Sequence, residues 1–135
     1  MFRIDEIAKQ HKELFPLADE SGQINKLQEE LTEYMVAGND EQKKKELADC
    51  LIVCAGIYRF SKQVGITQML NIYGIIQKNK FSKEEIEDKA TAKWLINLNR
   101  KWEFKDGSYH HIVIDGAEQS LIWLNTFTDR QNFSR

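Results

Sequence analysis

Two acidic clusters carry the chemistry this chain could do: Glu29-Glu30-Leu31-Thr32-Glu33 and, further on, Glu46-Leu47-Ala48-Asp49. Each holds a pair of carboxylates three apart, Glu30/Glu33 and Glu46/Asp49, a spacing that puts both side chains on one face of an α-helix. Gly38-Asn39-Asp40 between the clusters is a turn signal, so two helices are expected to fold back antiparallel and bring the pairs together. Four carboxylates converging in one place repel one another unless a cation sits between them. Oxygen-only ligands favour a hard cation, Mg²⁺ or Mn²⁺, over zinc or copper.

The competing reading is a solvated face. At ~100° per residue the three glutamates of the first cluster share one arc of their helix, while Ile24, Leu27, Leu31 and Tyr34 fill the opposite side, as in any amphipathic helix. Asp49 argues the other way. The segment from Leu47 to Tyr58 is apolar on every face past the aspartate and reads as a buried helix. A carboxylate at the edge of such a segment is costly unless it is paired or binds metal. Val53 and Gly56 continue the stripe begun by Glu46 and Asp49, so that stripe faces protein or the lip of a cleft.

The elements that position these residues follow from composition and periodicity. A chain of 135 residues is one domain, 1–135, on size grounds. Lys and Arg total 19 against 21 Asp and Glu, giving a formal net charge of −2. There is no basic footprint, which argues against a stable nucleic-acid partner. No apolar run reaches the ~18–20 residues needed to span a bilayer, so no membrane partner is expected. Met1 to Glu6 lacks the charged-then-apolar layout of a signal peptide, and a cytoplasmic location is the expectation. Cys50 and Cys54 lie one helical turn apart, poorly placed for a disulfide, and read as small core residues in a reducing compartment.

Residues 3–14 read as a short amphipathic helix with Ile4, Ile7 and Leu14 inward, ended by Pro16. Asp19-Glu20-Ser21-Gly22 reads as a loop. The first acidic helix is expected from about Gln23 to Val36 and the second from about Glu41 to Lys62, where Gly65 breaks the chain. Thr67 is a plausible cap for a fourth helix, and Ser82-Lys83-Glu84-Glu85 is a capping box opening a fifth that continues to about Trp102. After the Lys105-Asp106-Gly107 turn, His110 to Asp115 has the character of a short strand or ordered coil, and Leu121 to Phe127 that of a small terminal helix. Long helices joined by short loops indicate an all-α protein with a four-helix-bundle-like core of antiparallel helices and a short C-terminal extension.

On the fifth helix Lys89, Lys93, Asn97 and Arg100 recur at helical spacing and make one polar, cationic stripe. Opposite a tetra-carboxylate metal site such a stripe would grip phosphate oxygens that the metal does not reach. No Walker-type glycine loop is present, so backbone amides would not supply that grip.

Taken together, Glu29-Glu30-x-x-Glu33, a short gap and Glu46-x-x-Asp49 resemble the EExxE and ExxD signature of the all-α nucleoside triphosphate pyrophosphohydrolases. That superfamily includes MazG-type enzymes, dimeric dUTPases and phosphoribosyl-ATP pyrophosphohydrolase. The run Glu46-Leu47-Ala48-Asp49-Cys50-Leu51-Ile52 is also similar to the family's ELADxL wording. The resemblance covers residues 23–60, and Lys93 to His111, with Asn97, Arg100, Trp102, Gly107 and His110, resembles the C-terminal segment of some small MazG-like proteins. The short gap favours the compact MazG-like members.

The resemblance implies Glu30, Glu33, Glu46 and Asp49 as ligands of Mg²⁺, with Mn²⁺ an alternative. It implies Glu29 as a peripheral ligand or as a group that positions the attacking water, with Glu30 and Glu33 also catalytic. The implied reaction hydrolyses a nucleoside triphosphate between the α- and β-phosphates to the monophosphate and pyrophosphate, with Lys93, Asn97 and Arg100 on the phosphates. Family members are oligomers with sites near subunit interfaces. The apolar Leu121–Phe127 segment agrees with that, so a homo-oligomer, dimer or tetramer, is expected.

Two other readings were open. A di-iron bundle needs Glu-x-x-His pairs, and none of His11, His110 or His111 follows a glutamate at that spacing. A non-enzymatic oligomeric helical module with acidic faces fits everything except Asp49 and the combined motif. His110 and His111 can contact substrate or be plain loop residues. Groups that stack on the base can come from the Phe15–Gly22 loop, from Trp102 or from a neighbouring subunit.

Overall fold

Side-chain caps set where four of the five helices among the described residues begin. The structure, a computed structural model, describes residues 2–112. After α1 (Ile4–Leu14), helix α2 (Glu20–Val36) starts behind Asp19, whose carboxylate accepts from the Gly22 N–H at 2.6 Å. Helix α3 (Asp40–Tyr58) starts behind Asn39, α4 (Lys62–Lys78) behind Ser61 and α5 (Lys83–Asn99) behind Ser82, each side chain accepting from a backbone N–H three residues on. Such caps satisfy donors that the first helical turn leaves free.

Several boundaries differ from those read in the sequence. Asp19 to Gly22 is a capped first turn rather than a loop, so α2 begins before Gln23. The break after α3 falls at Arg59–Ser61, not at Gly65, and the fourth helix starts from Ser61 rather than Thr67. Gly65 lies inside the first turns of α4 for a packing reason: a Cβ there would sit 2.5 Å from the Cα of Tyr58. Ser82 does cap α5, but the Glu85 carboxylate that would complete the capping box turns instead to Lys44 on α3, at 2.9 Å. Helix α5 stops at Asn99, and Trp102 opens a hairpin of β1 (Trp102–Lys105) and β2 (Ser108–His111). Its turn places Asp106 and Gly107 at φ of 54° and 83°, the left-handed conformation that an Asp-Gly hairpin turn requires.

The fold is all-α, with the two-stranded hairpin as its one sheet among the described residues. Helix α3 is the axis, packed against α1, α2, α4 and α5. That position explains why its second half is apolar on every side: from Cys50 to Ile57 every residue is buried. Leu47, Leu51 and Ile57 meet Ile7, Ile72, Ile76, Ile86 and Trp94 in one cluster, each large aliphatic contributing ~1.5–3 kcal/mol by leaving water. Cys50 and Cys54 are free, buried thiols within it. Among the described residues no helix is long and apolar enough to cross a membrane. The expected terminal helix at Leu121–Phe127, with Trp123, and the part of the expected strand beyond Ile112 lie outside the described residues.

Candidate metal centre and the adjoining cavity

The short Ala37–Asn39 connection folds α3 back along α2, so the acidic stripe of one helix runs beside that of the other. Side-chain oxygens of Glu30, Glu33 and Glu46 all lie within 4.8 Å of one another. Burial, the facing Glu46 carboxyl and the charges of Asp49 and Glu33 push the Glu30 carboxyl up to about 8. Burial also raises Glu46, with Glu33 and Asp49 adding to it. Glu30 Oε2 and Glu46 Oε2 are both shut away from solvent and find no hydrogen-bond donor. Buried acceptors are normally paired. Three converging carboxylates, two of them with inner oxygens that lack donors and resist ionisation, fit a hard divalent cation, which would supply the missing positive charge.

Of the five acidic residues singled out in the sequence, then, three come together. Asp49 lies one turn beyond Glu46, outside the three-oxygen group but close enough that its charge raises Glu30 and Glu46. Burial raises Asp49 itself, against the pull of Lys93, Lys45 and Lys26. Glu29 is exposed and faces a neighbouring cavity instead of the cluster.

That cavity holds about 400 Å³. Ile52 and Val53 of α3 line one side, Gln23, Lys26 and Glu29 of α2 another, and Trp94 and Asn97 of α5 a third. The hairpin closes it with Trp102, Phe104, Tyr109 and His110. Phe15, just past α1, anchors the hairpin: its ring centroid is 4.9 Å from those of both Trp102 and Tyr109. The Leu17 N–H donates to the Tyr109 hydroxyl at 2.9 Å. Because Glu29 precedes Glu30 on α2, the cavity opens beside the carboxylate cluster.

The cationic stripe expected on α5 divides. Lys93 approaches Asp49 closely enough to favour its ionised form. Asn97, read as part of that stripe, is only 9% exposed and lines the cavity. Arg100 ends α5 in extended backbone and does not line the cavity, and Lys89 pairs with Glu41 on α3 at 3.7 Å.

Three residues of the site escaped the sequence reading. Lys26 lines the cavity and acts electrostatically on Glu30 and Asp49. Its signal was present, since Gln23, Lys26, Glu30 and Glu33 follow one another at helical spacing on a single face. Gln23 belongs to the same stripe. His11 gave no such signal: it is buried, and burial together with the Arg59 charge lowers it to about 4, so the ring is neutral at physiological pH.

Comparison with protein-family models, with curated proteins and with solved structures gives no match for this chain.

Proposed function

We propose that this protein is a Mg²⁺-dependent hydrolase that cleaves nucleoside triphosphates between the α- and β-phosphates, releasing the monophosphate and pyrophosphate. The observation that carries the reading is the convergence of Glu30, Glu33 and Glu46, with the inner oxygens of Glu30 and Glu46 lacking donors, beside a cavity with aromatic walls. The first calls for a cation and the second for a flat organic group.

Glu30, Glu33 and Glu46 would hold the ion, with Asp49 beside them; when bound, such an ion offsets phosphate charge and acidifies water. The chain's own residues supply the rest. Lys26 on α2 and Lys93 on α5 both act electrostatically on Asp49. They can take phosphate oxygens by charge-assisted hydrogen bonds. Arg100, at the end of the same helix as Lys93, is the reserve cation for the outermost phosphate. Glu29, which is exposed and lines the cavity, would accept the proton from the attacking water. Positioning and charge stabilisation are the main demands of phosphoryl chemistry.

The test is product analysis on a panel of nucleoside triphosphates with Mg²⁺. Monophosphate and pyrophosphate are the expected products, and Glu33→Gln and Asp49→Asn should each lower turnover by on the order of 10²-fold or more while circular dichroism stays unchanged. Orthophosphate as the primary product would remove the assignment. A folded Glu33→Gln variant with full activity would remove the site.

A further inference from the structure

The cavity contains a polar pattern that phosphate binding does not use. Asn97 is 9% exposed, lines the cavity, and its Oδ1 has no hydrogen-bond partner among the described residues. A buried carbonyl oxygen in that state awaits a donor. A fully ionised phosphate presents only acceptors and does not provide one.

A second polar group reaches the same cavity through a chain of three side chains. The Arg59 guanidinium lies 3.1 Å from His11 Nδ1 and donates to the Phe15 carbonyl at 2.8 Å. A guanidinium has donors only. Nδ1 must therefore accept, and the neutral ring carries its proton on Nε2. Stacking against Trp94, with planes 15° apart, holds the ring in place. Nε2 faces Gln23 Oε1 across the space beside Gly56, where an added methyl would strike the Gln23 oxygen and come within 2.9 Å of Nε2. With the proton on Nε2, the Gln23 oxygen beside it is the acceptor that the ring N–H meets. With its oxygen on the His11 side, Gln23 has its NH₂ left to offer to the cavity that it lines.

We infer that Arg59 and His11 are positioning residues that orient the Gln23 amide, so that the cavity offers a fixed donor at Gln23 and a fixed acceptor at Asn97 to a planar heterocycle bearing both hydrogen-bonding roles. Within the proposed function, on which this inference rests, that heterocycle is the nucleobase, and bases with an exocyclic amine suit the Asn97 oxygen. Trp102 and Phe104 give it flat apolar walls.

Two measurements on the full chain test this. Long-range ¹⁵N–¹H NMR without ligand should show His11 protonated at Nε2. Arg59→Met should abolish that preference and Arg59→Lys restore it; Nδ1 protonation in the native protein would overturn the relay. Tryptophan fluorescence titrations with adenosine and cytidine, each against its deamino analogue, should show at least about ten-fold weaker binding of the analogue. Asn97→Leu should erase that difference. Gln23→Met, which leaves the α1 end untouched, should weaken nucleosides but not inorganic triphosphate with Mg²⁺, and Arg59→Met should match it. Equal binding of nucleoside and analogue, no nucleoside binding, or equal losses for nucleoside and triphosphate would each overturn the inference. Base discrimination without any Mg²⁺-dependent hydrolysis would sink the hydrolase reading alone, and hydrolysis without base discrimination would sink this inference alone.

Discussion

Glu30 on α2 and Glu46 on α3 point carboxyl groups at each other, and the inner oxygen of each is buried without a donor. Burial first, and then the facing Glu46 carboxyl, push Glu30 up to about 8 from its ordinary 4.5, so metal-free the pair keeps a proton. The sign of the pH effect follows. Between these values the folded state holds a proton that the unfolded state has released, so stability falls as pH rises. The contribution is complete below about 4.5 and gone once the pH has passed about 8. In EDTA, the melting temperature should fall across that window relative to Glu30→Gln, whose amide does not titrate. Parallel melting curves for the two proteins would contradict the crowding.

Lys26 and Lys93 act on the carboxylates from different helices. Replacing either by alanine should raise KM or lower kcat/KM about ten-fold, the scale of one charge-assisted hydrogen bond of ~1.5–3 kcal/mol. Melting temperature should shift little for Lys26, which is exposed, since exposed substitutions usually cost within ~0.5 kcal/mol. Steady-state kinetics on the purified variants decides the matter. Unchanged constants for both would leave Arg100 as the cation to examine.

Gly65 marks where α4 crosses the end of α3. An alanine methyl there would meet the backbone of Tyr58 at 2.5–2.7 Å, which neither helix can yield cheaply. Gly65→Ala should destabilise the protein by about 1–3 kcal/mol, the usual range for overpacking, measured by urea unfolding. Gly74, where an added Cβ meets nothing within 4 Å, is the matched control and should be neutral or slightly stabilised by alanine.

The acidic centre was legible because its residues are local. Helical spacing and the Gly38-Asn39-Asp40 turn fix which carboxylates share a face and which helices meet. The all-α class was legible for the same reason, from helical periodicity and short loops. Gly65 misled because a glycine demanded by close packing reads like one demanded by a turn; Ser61, the actual cap, lay just before it. The burial of Asn97 was not legible, because only tertiary packing decides which flank of α5 is covered. His11, Gln23 and Arg59 come from three separate helices or their ends, and no sequence pattern joins positions so far apart. The cavity itself exists only once Phe15 holds the hairpin over α5.

The most direct test of the centre is calorimetric titration of Mg²⁺ into metal-free protein at pH 7, run in two buffers of different ionisation enthalpy. With Glu30 protonated at that pH, metal binding should displace its proton, because carboxylate ligands bind metal in the ionised form. The account predicts saturable binding with an apparent heat that depends on the buffer, and neither in Glu30→Gln. No binding to the native protein, or binding with no proton released and undiminished in that variant, would contradict the claim that Glu30, Glu33 and Glu46 form a cation site.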